Sequence, residues 1–392
     1  MKSLIITSLA VILLHFNSIA QSNVESVLSE IEKNNTTLNA LRDKTEVSKI
    51  ANKTGIFLQN PEIEFNYLWG NPSSIGTRND IIITQSFDFP TAYKYKNYIS
   101  DLKNNQGELE YLKQKNELIL QARLVCIEII AANIKEIEYQ KRLYNALRIA
   151  NAYQEKFEKG DANIIDFNKA QLYLLRAKND VEQSAILIKS LNDKLTTFNA
   201  GQSVKLIDTV YPAYAIPDSF DLWFSQVELK NPLMNWLKNE IKISQREVKL
   251  NKALNLPKFT TGYMSESIST ENFKGITAGI SIPLWENKNT VKLANAKVLT
   301  AKSLENDYHQ QFFNNLKALH SKTLSQQKLI YQYKQLLQNF SNESLLNKAL
   351  DNGEISLIEY LLEISIYYES VTDLLEMELE FYKMLAEMEQ FN

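Results

Sequence analysis

Three pairs of landmarks recur down this chain at nearly constant spacing. Pro61 and Pro257 stand 196 positions apart, Pro90 and Pro283 stand 193 apart, and so do Gly160 and Gly353. Such self-similarity marks a duplicated architecture, in which each half must build the same unit. The expected unit is a helix (about Val24 to Phe57, then Ser219 to Leu254), a β-hairpin (61–90, then 257–283), a very long helix and a return helix. The chain therefore divides into a first repeat, 21–202, a linker, 203–218, and a second repeat, 219–392. The link from Gly201 to Pro217 leaves room for a short strand. With 10 Gly and 8 Pro in 392 residues, turns are few and elements long. The fold class is mainly α with a small β part.

The hairpins carry period-two patterns. Ile63, Phe65, Tyr67 and Trp69 alternate with Glu62, Glu64, Asn66 and Leu68. On the return strand Ile81, Ile83, Phe87 and Phe89 share a face, opposite Ile82, Thr84, Ser86 and Asp88. Between them lies Asn-Pro-Ser-Ser-Ile-Gly, which is turn chemistry. The second hairpin repeats the plan, with Phe259, Thr261, Tyr263, Ile276, Ala278, Ile280 and Ile282 on the apolar face. A lone hairpin is marginally stable, so these ribbons need partner strands.

The segment from about Ala92 to Lys159 has no Gly-Pro break, and its roughly 65 residues would reach about 100 Å. Leu120, Leu124, Ile127, Ala131 and Ile134 follow coiled-coil spacing, as do Leu304, Tyr308, Phe312, Leu316 and Leu319 in the second copy, also read as one very long helix. The return helix alternates three- and four-residue steps through Phe167, Ala170, Leu174, Ala177, Val181, Ser184, Ile188, Leu191, Leu195 and Phe198. Shifted by 193, the seam becomes Tyr360, Glu363, Tyr367, Ser370, Leu374, Met377, Phe381, Met384, Met388 and Phe391, preserved in register apart from Glu363. At the tips, Gly160 and Gly353 are the expected C′ residues of the long helices. Asn163 and Ser356 are the expected N-caps, with Asp166 and Glu359 three residues on.

Met1 to Ala20 has a basic start, an apolar run from Leu4 to Leu14 and small residues at its end, the pattern of a secretory signal. The remaining chain has no apolar run long enough for a membrane-spanning helix. The formal net charge is −3, so a nucleic-acid partner is not indicated. Cys126 reads as a packed helical thiol. His309 and His320 are about 16 Å apart along a helix, too far for one metal. Met377, Met384 and Met388 lie on the seam and read as core. No phosphate loop, nucleophile triad or zinc spacing occurs, so no cofactor, metal or catalytic residue is expected.

A secreted chain with alternating strands suits an outer-membrane barrel, one face on lipid and the other on water. Four strands cannot close such a barrel, and eight are needed even for a filled one. Several copies must therefore combine, their long helices continuing the barrel as a tube. The lipid-facing set would be Ile63, Phe65, Tyr67, Trp69, Ile81, Ile83, Phe87, Phe89, Phe259, Tyr263, Ile276, Ile280 and Ile282. Glu62, Glu64 and Asp88 would line the lumen.

The hairpin entry Asn60-Pro61-Glu62-Ile63-Glu64, the run Ile280-Ser281-Ile282-Pro283-Leu284 and the two tip motifs resemble the TolC-like outer-membrane efflux factors over nearly the whole chain. The resemblance implies a homotrimer with a twelve-stranded barrel in outer-membrane lipid and a periplasmic α-helical tunnel. It implies a passive duct in a tripartite system, met at its tips by a periplasmic adaptor that joins it to an inner-membrane pump. Asp166 and Glu359 match acidic gate positions, whose other reading is helix capping alone. A further acidic position falls on Leu362 and a basic one on Ile355. Gly160, Asn163, Gly353 and Ser356 are the expected adaptor contacts, with turn formation as the other reading. Gln85-Ser86-Phe87-Asp88-Phe89-Pro90 is similar to the heavy-metal efflux branch. A type I secretion duct and a secreted coiled-coil scaffold or adhesin are the alternatives; nothing positive speaks for an enzyme.

Overall fold

The computed structural model describes residues 24–269, 271–340 and 342–391. The secretory-signal segment lies outside them. The element order is α1 (Val24–Asn34), α2 (Thr36–Asn52), β1 (Glu62–Trp69), β2 (Thr77–Phe87), α3 (Pro90–Lys159), α4 (Ile164–Phe198), α5 (Phe220–Lys230), α6 (Pro232–Leu254), β3 (Lys258–Ile268), β4 (Glu271–Ser281), α7 (Thr290–Asn339), α8 (Glu343–Asp351) and α9 (Leu357–Glu389). The duplicated plan is present, with α3 as a single helix of 70 residues.

The helix expected before each hairpin is two helices. Asn35 and Asn231, 196 positions apart like the hairpin prolines, each end one helix and cap the next. The Leu38 N–H donates to Asn35 Oδ1 at 2.9 Å and the Met234 N–H to Asn231 Oδ1 at 2.8 Å. Pro232 then occupies the first turn, where its missing N–H costs nothing. Asn35→Ala and Asn231→Ala should each cost about 1 kcal/mol of local helix stability. Amide exchange at Leu38 and Met234 should quicken accordingly; unchanged exchange would show that the caps contribute nothing.

In the second copy the long helix is also interrupted, so the expected single element is α7 plus α8. The interruption falls where Asn339 and Asn342 cluster, side chains that compete for backbone hydrogen bonds. The link between the repeats contains no strand among the described residues. Val204 and Leu206 are buried there, and Tyr211 stacks on Tyr382 with ring centroids 4.0 Å apart.

The chain forms two compact units. Among the described residues, one comprises 24–31, Arg123–Tyr214 and Leu337–Tyr382; the other comprises Glu32–Ala122, Ala215–Leu336 and 383–391. Each draws on both repeats. In the first, Ile149 and Ala170 pack with Leu350, Leu357, Tyr360, Ile364 and Tyr368. The α4 seam buries Ala170, Leu174, Ala177, Ser184 and Leu195 as expected. On α9 the buried line runs Leu357, Tyr360, Ile364, Tyr368, while Glu363 faces out. Glu363 is the one exposed position of the shifted seam, because a carboxylate costs more to bury than the neighbouring isoleucine. In the second unit Trp223, Phe224, Val227, Phe312, Leu316 and Met388 form the core. Met384 is also buried, consistent with a packing role. His320 is buried with its Nε2 2.8 Å from the Pro217 carbonyl oxygen. Cys126 is buried, and burial pushes its thiol up to about 12.

Candidate functional site

The four strands form one antiparallel sheet in the order β1-β2-β3-β4. The two hairpins are joined directly, since β2 pairs with β3 from Arg78↔Ile268 to Phe87↔Phe259. Residues paired across antiparallel strands point to the same side. The register therefore tests the face assignment residue by residue. Ile63 pairs with Ile83, Ile83 with Tyr263 and Tyr263 with Ile276. Phe65 pairs with Ile81, and Phe87 with Phe259, which pairs with Ile280. Tyr67 and Trp69 continue the same side of β1. One face thus carries eleven of the thirteen residues expected there. Phe89 and Ile282 lie just beyond the strand ends. This face is open: Ile276 is 86 % exposed, Trp69 77 % and Ile63 74 %.

Glu62 and Glu64 occupy the opposite side and are exposed. Asp88 does not join them. It lies past the end of β2, where its carboxylate accepts from Lys96 Nζ at 2.9 Å and its N–H donates to Tyr93 Oη at 3.0 Å. Pro90 starts α3 two residues later. Sequence reasoning missed a cluster on the Glu62–Glu64 side. Asp80 and Glu266 are directly paired carboxylates, and Arg78 Nε lies 2.9 Å from one and 3.0 Å from the other. The guanidinium holds together two like charges that would otherwise repel. At the hairpin tips Gly76 has φ +86°, and a Cβ there would stand 2.4 Å from Ser269 Oγ.

The helical tips belong to the first unit. Gly160 has φ +81° and Gly353 φ +73°, the left-handed conformation that ends a helix without a Cβ penalty. The Asp161 N–H donates to the Lys156 carbonyl and the Glu354 N–H to the Ala349 carbonyl, both at 2.8 Å. Asn163 Oδ1 accepts from the Asp166 N–H at 2.9 Å, while Asn163 Nδ2 donates to Asp166 Oδ2 at 2.8 Å. The Ser356 N–H and Oγ donate to Glu359 Oε2 at 2.8 and 2.7 Å, and the Glu359 N–H donates back to Ser356 Oγ. Both candidate gate carboxylates are therefore engaged in capping.

The Ser356 hydroxyl and amide lower the Glu359 pKa from its ordinary value. That contribution is present above the unfolded carboxylate range and disappears as pH falls through the lowered value. Amide exchange at the start of α9 should accelerate in that acid window for the native chain. In Glu359→Gln the acid dependence should vanish; an identical pH profile in both would refute the coupling.

Beneath the tips lies a polar network that the heptad reading did not reveal. Asn145 Nδ2 donates to Tyr360 Oη at 2.7 Å, and Tyr360 Oη donates to Asn347 Oδ1 at 2.8 Å. Tyr368 Oη donates to Glu343 Oε1 at 3.0 Å. Arg148 reaches both oxygens of Asp351, at 2.6 and 2.8 Å, and Asn347 Oδ1 at 2.7 Å. Burial pushes the Tyr360 and Tyr368 hydroxyls up, keeping them neutral donors. The network ties α3 of the first repeat to α8 and α9 of the second.

No family model and no curated protein matches the sequence. Solved structures do match its fold. CusC, described in terms of folding and transmembrane channel formation, superposes with TM-score 0.77 at 15 % identity, covering 94 % of this chain and 92 % of that one. This is the TolC-like outer-membrane channel fold. The CmeC outer membrane channel of Campylobacter jejuni gives TM-score 0.75 at 13 % identity, covering 94 % and 85 %. The outer membrane protein VceC of Vibrio cholerae gives 0.74 at 10 % identity, covering 94 % of each chain.

Proposed function

We propose that this chain is the subunit of a passive outer-membrane channel, the exit duct of a tripartite efflux system. Three copies join edge to edge, β4 of one against β1 of the next, into a twelve-stranded barrel in outer-membrane lipid, with the helices in the periplasm. The observation that carries this reading is the sheet itself. Its apolar face is open along all four strands, and among the described residues both outer strands lack a second neighbour. No helix among the described residues is long and apolar enough to cross a membrane. An open apolar sheet with free edges is unstable in water, whereas a closed barrel in lipid satisfies both the edges and the face.

The tips serve as gate and as docking point for a periplasmic adaptor that brings an inner-membrane pump. Asp166 and Glu359 combine capping with a ring of negative charge at the mouth, and Gly160, Asn163, Gly353 and Ser356 shape the turns an adaptor would grasp. Purified protein in detergent should be trimeric and should conduct ions in planar bilayers. Asp166→Asn with Glu359→Gln should reduce the preference for cations. A monodisperse soluble monomer without conductance would defeat the proposal. Heavy-metal cargo rests on the similarity of Gln85 to Pro90 alone. A deletion strain hypersensitive only to divalent metals would support it, and loss of an exported protein would instead favour the secretion duct.

A further inference from the structure

On the apolar face of the sheet one strand residue alone carries a charge, Lys274. Its position in the register gives that charge a meaning. The row below it, toward the helices, is Ile63, Ile83, Tyr263 and Ile276, apolar apart from the tyrosine hydroxyl. The row above it, toward the hairpin tips, is Tyr67, Asn79, Ser267 and Asn272. Lys274 sits between these rows with Ser265, Ile81 and Phe65, so it stands where the face changes from apolar to polar.

We infer that Lys274 binds the phosphate of an anionic lipid headgroup in the leaflet around the hairpin tips. The inference rests on the lipid-facing reading of this face given above. The lysine is exposed, and its four-carbon stem can lie along the apolar rows while the ammonium reaches the headgroup level. Tyr67 and Trp69 stand at and above this level on β1, the residue types that mark a membrane–water boundary. Among the described residues the sheet supplies no counter-ion on this side. The nearby Glu266 and Glu271 alternate to the other face. A second copy pairing β1 against β4 would present Ile63, Phe65, Tyr67 and Trp69 here, which carry no charge. The anion must come from the surrounding lipid, and three copies would place three such sites around the barrel.

The test uses trimers of the native chain, Lys274→Gln and Lys274→Arg reconstituted in phosphatidylcholine vesicles. Spin-labelled phosphatidic acid and spin-labelled phosphatidylcholine are compared for association with the protein boundary. The native trimer and Lys274→Arg should prefer phosphatidic acid, and Lys274→Gln should lose about fivefold of that preference. Equal preference in Lys274→Gln, with all three proteins inserted, would overturn the headgroup site and leave the channel reading standing. Erasure of the native preference by millimolar inorganic phosphate would overturn it in favour of a free-anion site. Failure of the native chain to insert at all would overturn both.

Discussion

Ile83→Arg should remove the protein from the outer membrane, whereas Ile82→Arg, one position away, should leave it there. Ile83 lies in the apolar row with Ile63, Tyr263 and Ile276. An arginine facing hydrocarbon carries a depth-dependent cost that reaches about 2–4 kcal/mol at the midplane, and a symmetric trimer bears the cost three times. Ile82 points to the other side, where its partner on β1 is Glu64 and water is available. An arginine there gains an ion-pair partner. The measurement is the amount of heat-resistant trimer in outer-membrane fractions. A scaffold whose hairpins pack as soluble domains predicts the reverse order of damage, or indifference to both changes.

Tyr360→Ala should be the most destabilising single change in the first unit, at about 3–5 kcal/mol. The ring is fully buried among Ile149, Ala170, Leu350 and Ile364. Its hydroxyl also accepts from Asn145 and donates to Asn347. Tyr360→Phe keeps the packing and removes both hydrogen bonds, which should cost about 0.5–1.5 kcal/mol, since Asn145 keeps Tyr368 and Asn347 keeps Arg148 as partners. The two variants thus separate cavity from hydrogen bond. Amide exchange over α8 and α9 should rise in both, more steeply in the alanine variant. Exchange no faster than in the native chain would mean that the tips are held from elsewhere.

The strand faces were legible because a period of two leaves little choice once one side is apolar. The tip turns were legible because Gly160, Gly353, Asn163 and Ser356 are the residues whose backbone and side chains helix ends demand. The paired breaks at Asn35 and Asn231 were also written in the chain, at the same 196-residue spacing as the prolines, but a single Asn inside a helical pattern is a weak signal. The α9 seam was legible through the shift of 193, and its one exposed position, Glu363, was marked by the carboxylate itself. The Arg78, Asp80 and Glu266 cluster and the Asn145–Tyr360–Asn347 network could not be read. Each unites residues from different repeats, and only the β2–β3 register and the packing of α3 on α8 and α9 bring them together.

The β2–β3 seam also governs the order in which the protein can be made. Phe87 and Phe259 are partners separated by 172 positions in the chain. A ribbon delivered early must wait, unzipped on one side, until α3, α4, α5 and α6 have followed it. Such distant pairings form slowly, and the waiting edge can recruit the wrong neighbour. A stall in the interval between the first hairpin and the second would therefore leave sticky half-chains rather than idle ones.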